Sequence, residues 1–196
     1  MNKGFNHMTR SDKTRKLVMT ALMLCLVLLA TIAIRIPAPF TQGYVHLGDT
    51  FIFVSVLLLG KKYGAVASGV GSAMADILGG FAIYAPWTLI IKFLMAYIMG
   101  LFVEISLKRK KNVVQVAGVP LIQIIGMIIA GVIMVVGYAL VDGAFAGNIL
   151  AGILGAPFNV IQFAVGIVIA LIIIATLYKT PAKKMFEYRV DTPKEK

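Results

Sequence analysis

Runs of about twenty apolar residues, each able at about 1.5 Å of helix rise per residue to cross about 30 Å of hydrocarbon, leave this chain few possible folds. They fall at 17–34, 63–80, 86–107, 113–141 and 153–178, and a shorter one occupies 50–59. The short run reaches only about 15 Å, so it must begin within the preceding loop or lie sheltered inside the bundle. The long run 113–141 is expected to tilt, or to kink near Pro120. With 60% of its residues hydrophobic, the chain exceeds the apolar content of ordinary soluble domains. The expectation is an all-α integral membrane protein: one transmembrane domain over 1–196, built as a bundle of six transmembrane helices over 17–178.

The basic residues say how such a bundle is oriented. Seventeen of the nineteen Lys and Arg fall in alternate connections: the segment before 17, the pair Lys61 and Lys62, the run 108–111, and the segment after Tyr178. The intervening stretches 36–48, 80–86 and 142–152 contain none. Short cytoplasmic loops retain positive charge, so N and C termini, as basic tails 1–16 and 179–196, are expected in the cytoplasm. The net charge of +11 is thereby explained by topology, without a nucleic-acid partner. The first run ends in Arg35, Ile36 and Pro37 with no small-residue cleavage site, which reads as an anchored helix and not a removed signal.

The remaining two basic residues, Arg35 and Lys92, point to function, because an ionisable group in hydrocarbon is costly and faces a partner or a water-filled cavity. Lys92 lies about 9 Å inside the fourth run. Asp76 is the expected partner for Lys92 or Arg35, and Asp49 reads equally as an N-cap for the short helix or as a ligand contact. Asn159 and Gln162, one turn apart, share a helix face. Tyr84, Trp87 and Tyr138, with the loop residues Gln42, Tyr44 and His46, complete a polar and aromatic set in one half of the membrane. That layout predicts a pocket open to the exterior. Belt aromatics, helix glue and a structural ion pair are the competing readings of these same residues.

Catalytic and cofactor motifs are missing from the sequence. The lone cysteine, Cys25, sits in an apolar run and supports neither a disulfide framework nor a metal site. Gly60 and Lys61 superficially evoke a phosphate loop, but position 55 is Ser and position 62 is Lys. No cofactor, metal or catalytic residue is expected. A stand-alone secondary transporter, which would usually carry more spans and an internal repeat, and a membrane enzyme, which would need paired catalytic groups, are the alternatives.

The stretch GYVHLGD at 43–49, GVGSAMADILGG at 69–80 and YAPWTLIIK at 84–92 together resemble the substrate-binding S components of energy-coupling factor (ECF) vitamin transporters. The similarity is greatest to the branch assigned to pyridoxine or hydroxymethylpyrimidine, and it spans about 15–178. It implies six helices, a high-affinity pocket beneath the first loop, and no enzyme activity. It also implies two kinds of partner beside the lipid bilayer: a transmembrane scaffold protein and two cytoplasmic ATPases. The binding role is carried onto His46, Trp87, Lys92, Asn159 and Gln162. Docking in the family commonly uses Ala-xxx-Ala in the first helix; here Ala21 with Cys25 comes nearest, and Ala30 with Ala33 gives a second small surface.

Overall fold

A computed structural model describes residues 10–38, 43–108 and 114–186. Helix α1 (Arg10–Ala33) leads into an antiparallel pair of short strands, β1 (Arg35–Pro37) and β2 (Tyr44–His46). Then come α2 (Gly48–Gly79), α3 (Ala85–Lys108), a second small hairpin of β3 (Gln115–Val116) and β4 (Val119–Pro120), α4 (Leu121–Phe145) and α5 (Ile149–Tyr178). A 3-10 turn, Pro181–Met185, follows.

Among the described residues, five helices are long and apolar enough to cross a membrane, where six were expected. The difference lies in α2, a single element that holds both the 50–59 and the 63–80 runs. Its two arms are not collinear. Gly60, at φ 74° and ψ −177°, leaves the helical region for one that only glycine enters without strain. The Oγ atoms of Ser55 and Ser68 then lie 3.2 Å apart, whereas thirteen residues of straight helix would separate them by about 20 Å. The chain therefore turns back on itself at Gly60. At Gly64 a Cβ would meet the Val56 backbone at 2.9 Å, so the arms touch main chain to main chain. The first arm, from Gly48 to Gly60, is buried almost throughout, which is how so short an apolar run avoids lipid.

The run beginning at 113 departs from expectation too. Residues 115–120 form the β3–β4 hairpin, with Ala117 and Gly118 at positive φ, and Pro120 stands at the N-cap of α4 instead of kinking it. A proline there loses no intrahelical hydrogen bond, since the N–H it lacks would have been unpaired in the first turn. Helix α5 begins four residues ahead of expectation because Asn148 caps it, its side chain accepting from the Leu150 N–H at 2.9 Å.

Side chains of Phe53, Leu57, Met95, Met99, Met127, Met134 and Ile174 fill the centre. Leu17, Leu22, Leu29, Val136, Ile161 and Ile172 remain exposed on the outside, the inverse of a soluble protein and the surface expected toward lipid. Helix α1 packs one face on α2, where a Cβ at Gly71 would stand 2.7 Å from the Leu24 carbonyl oxygen. Such close approach of helices through small residues supplies the van der Waals contact that drives association in a membrane.

Candidate binding site

At the end of the bundle away from the Lys61 turn, a cavity with about 440 Å3 of empty space, its open mouth included, is enclosed by every helix except α1. Ala38, Gly43, Tyr44 and His46 of the β1–β2 segment form one wall. Asp76 and Phe81 at the end of α2, Tyr84 and Thr88 around the start of α3, Tyr138 and Asp142 of α4, and Asn159 and Gln162 of α5 form the rest. The short connection 80–84, held by Phe81 N–H to Asp76 O and Tyr84 N–H to Phe81 O, both 2.8 Å, brings α2 and α3 side by side here.

Two tyrosine–carboxylate pairs flank the space. The Tyr44 hydroxyl donates to Asp76 Oδ1 at 2.7 Å, and the Tyr84 hydroxyl donates to Asp142 Oδ1 at 2.8 Å. Burial, with Asp76 beside it, pushes the Tyr44 hydroxyl above its ordinary range, so it remains a donor. Asp76 Oδ2 is buried and makes no hydrogen bond of ordinary geometry, with the Thr88 hydroxyl the donor beside this carboxylate. The Tyr138 hydroxyl donates to Thr88 Oγ1 at 3.1 Å. No lysine or arginine is among the described lining residues. The cavity thus offers carboxylate, hydroxyl and carboxamide groups with aromatic walls, a chemistry suited to a neutral or cationic ring carrying N–H or O–H donors.

Of the residues singled out in the sequence, Tyr44, His46, Tyr84, Tyr138, Asn159 and Gln162 meet at this cavity, and Asp76 joins them. Trp87 does not line it; at 47% exposure it faces outward, as an interfacial aromatic does. Lys92 is fully buried but stands behind the lining, paired with Asp49 and not with Asp76. Asp49 correspondingly is no N-cap: Leu47 holds that position, and the Asp49 carboxylate receives Lys92 and, at 2.9 Å, Gln162 Nε2. Arg35 donates to the Gly79 carbonyl at 3.1 Å, completing the negative end of α2, and lies over the Tyr44 ring. Gln42 lies outside the described residues. Ala21, Cys25 and Ala33 are exposed on α1 and Ala30 is half-buried, away from the cavity.

Thr88 and Asp142 were not singled out as site residues. The apolar run ends at 141, which by hydropathy alone makes Asp142 a loop residue, whereas α4 continues to Phe145. An acidic side chain directly abutting an apolar run was the signal available.

His46 carries a pH dependence. Its Nδ1 accepts from the Gly48 N–H at 3.0 Å, leaving Nε2 as the ring's donor, and burial, then the Lys92 and Arg35 charges, lower its pKa to about 3 against an opposing pull from Asp49. A neutral imidazole in the fold and an ordinary one when unfolded mean its contribution is complete above about pH 6.5 and is lost as pH falls toward 3. Thermal unfolding in detergent between pH 8 and pH 4 should show His46→Asn flattening the acid limb by up to about 1.4 kcal/mol per pH unit. Parallel limbs in the two proteins would contradict this.

A family model described as "ECF-type riboflavin transporter, S component" matches residues 11–179. A Pyrococcus woesei protein, "Uncharacterized protein in gap 3'region", is 33% identical over 144 residues, 73% of this chain and 88% of that one. The thiamine precursor transporter HmpT of Lactococcus lactis subsp. cremoris is 27% identical over 167 residues, 85% of this chain and 89% of its own. Two solved structures share the fold. One is an S-component for biotin from an ECF-type ABC transporter, with a TM-score of 0.67 at 20% identity, over 91% of this chain and 98% of that one. The other is an S component of a bacterial ECF transporter, with a TM-score of 0.58 at 19% identity, over 88% and 98%.

Proposed function

This chain belongs to the family of S components of ECF-type transporters, multi-pass membrane proteins that bind vitamins for uptake and are not enzymes, and from that premise we propose that it captures a single-ring vitamin precursor. Hydroxymethylpyrimidine, or pyridoxine, is the ligand class that fits best. The observation that carries the reading is the donor-seeking wall: two carboxylates, Asp76 and Asp142, the buried Asp76 Oδ2 making no hydrogen bond of ordinary geometry, in a cavity lined by no lysine or arginine among the described residues. An exocyclic amine or hydroxymethyl group supplies the donors these oxygens need, and Phe81 and the tyrosines supply a face for one aromatic ring. A carboxylate-bearing vitamin would meet like charge here. The likeness to a thiamine precursor transporter over most of both chains supports the same class.

The charge pattern of the loops supports an orientation with the cavity outside and both termini in the cytoplasm. Association with the ECF module is a family property; the composition expected for this chain is one transmembrane scaffold and two ATPases. The exposed small residues Ala21, Cys25 and Ala33 of α1 support that face as the docking surface.

Calorimetry on the purified chain in lipid nanodiscs tests the ligand. Hydroxymethylpyrimidine or pyridoxine should bind with a dissociation constant below about 1 µM, or about −8 kcal/mol. Binding of riboflavin or biotin with neither single-ring compound bound would overturn the assignment.

A further inference from the structure

The most expensive feature of this fold is one the ligand chemistry above does not use. Lys92 and Asp49, each fully buried, form an ion pair behind the cavity wall. Charges withdrawn this far from water are tolerated only when paired and fully hydrogen-bonded, and an apolar pair would serve packing as well. What distinguishes this pair is its onward connection.

Asp49 Oδ2 accepts from Gln162 Nε2 at 2.9 Å, and Gln162 Oε1 accepts the backbone N–H of His46 at 3.0 Å. The His46 ring in turn accepts from the Gly48 N–H. A continuous polar chain therefore runs from α3 through α2 and α5 to strand β2, which forms a wall of the cavity. Gly166 lets α5 come this close; a Cβ there would stand 3.1 Å from Asp49 Cβ. Lys92 Nζ also lies 5.4 Å from the centre of the Tyr138 ring, a second lining side chain. Each polar end of Gln162 is engaged once by the protein, which fixes the direction of its amide before any ligand arrives.

We propose that Lys92, Asp49 and Gln162 are positioning residues that latch strand β2 against the cavity, and so set how slowly ligand leaves. The link to ligand rests on the cavity being the binding site as proposed above. The latch itself does not.

Hydrogen–deuterium exchange on the full chain in nanodiscs, without ligand, reads the latch directly. Gln162→Leu should speed exchange in the segment 43–47 about tenfold while α3 and α4 keep their protection. Gln162→Met serves in its place should the Leu variant fail to insert. Lys92→Met should loosen the same segment, and adding Asp49→Asn, whose carboxamide oxygen still accepts from Gln162, should restore protection. Unchanged exchange at 43–47 in Gln162→Leu, or an increase in that variant that is uniform over all helices, would show that these groups only hold the bundle together. Stopped-flow binding with hydroxymethylpyrimidine as the probe gives the second reading. Gln162→Leu should raise the dissociation rate about tenfold with the association rate little changed. Lost affinity with normal exchange would make Gln162 a ligand contact and overturn the latch. If neither hydroxymethylpyrimidine nor pyridoxine binds the unaltered chain, the ligand assignment fails, and the exchange result still decides the latch.

Discussion

Lys92→Met is expected to destabilise the folded chain by about 3–5 kcal/mol, because it strands the Asp49 carboxylate at zero exposure among apolar helices. Met matches much of the lysine stem, so cavity formation adds little. The double change Lys92→Met with Asp49→Asn removes both charges while keeping an acceptor for Gln162, and it should recover most of the loss. The signature is therefore non-additivity: a coupling of several kcal/mol in the double-mutant cycle, read from unfolding in mild detergent. A double variant as unstable as the sum of the singles would mean that the two groups do not act as a pair.

The second large effect concerns affinity. Asp76→Asn should leave the Tyr44 contact in place, since a carboxamide oxygen still accepts that hydroxyl, but it turns the buried Oδ2 position into a donor facing the ligand's donors. Losing a charge-assisted hydrogen bond of this kind costs about 1.5–3 kcal/mol, or one to two decades in dissociation constant. Asp142→Asn should act in the same direction. Calorimetry on variants that elute as the unaltered chain does would detect it. Full affinity in both would place the ligand against other groups than these carboxylates.

Much of this architecture is legible in the sequence, for a physical reason. Hydrocarbon requires each span to satisfy its own backbone, so length and hydropathy almost suffice to find α3 and α5. The same logic exposes Lys92 as abnormal. It cannot name the partner, because depth along a helix follows from counting residues while direction around it depends on neighbours. Asp49 is 43 residues away and meets Lys92 only because the chain reverses at Gly60 and the first arm of α2 enters the bundle centre. The expected ends of apolar runs were equally blind at two places. Hydropathy ends the run before Asp142, which α4 contains, and runs it through Pro120, which caps α4. Hydropathy marks where lipid stops, and helices stop elsewhere, where caps and turns allow.

The reversal at Gly60 also accounts for where the empty space comes from. Twelve residues of helix before it rise only about 18 Å, against about 30 Å of membrane core. The arm therefore falls about 12 Å short of a full crossing. Ala38, Gly43, Tyr44 and His46 wall the cavity beyond the start of the arm, and the tyrosines and carboxylates of the neighbouring helices line it. The binding volume is thus made by omitting turns of one buried helix instead of hollowing out several. Its depth is set by where Gly48 starts the arm, so lengthening the arm by one turn would fill the site while leaving the lipid-facing surface as it was.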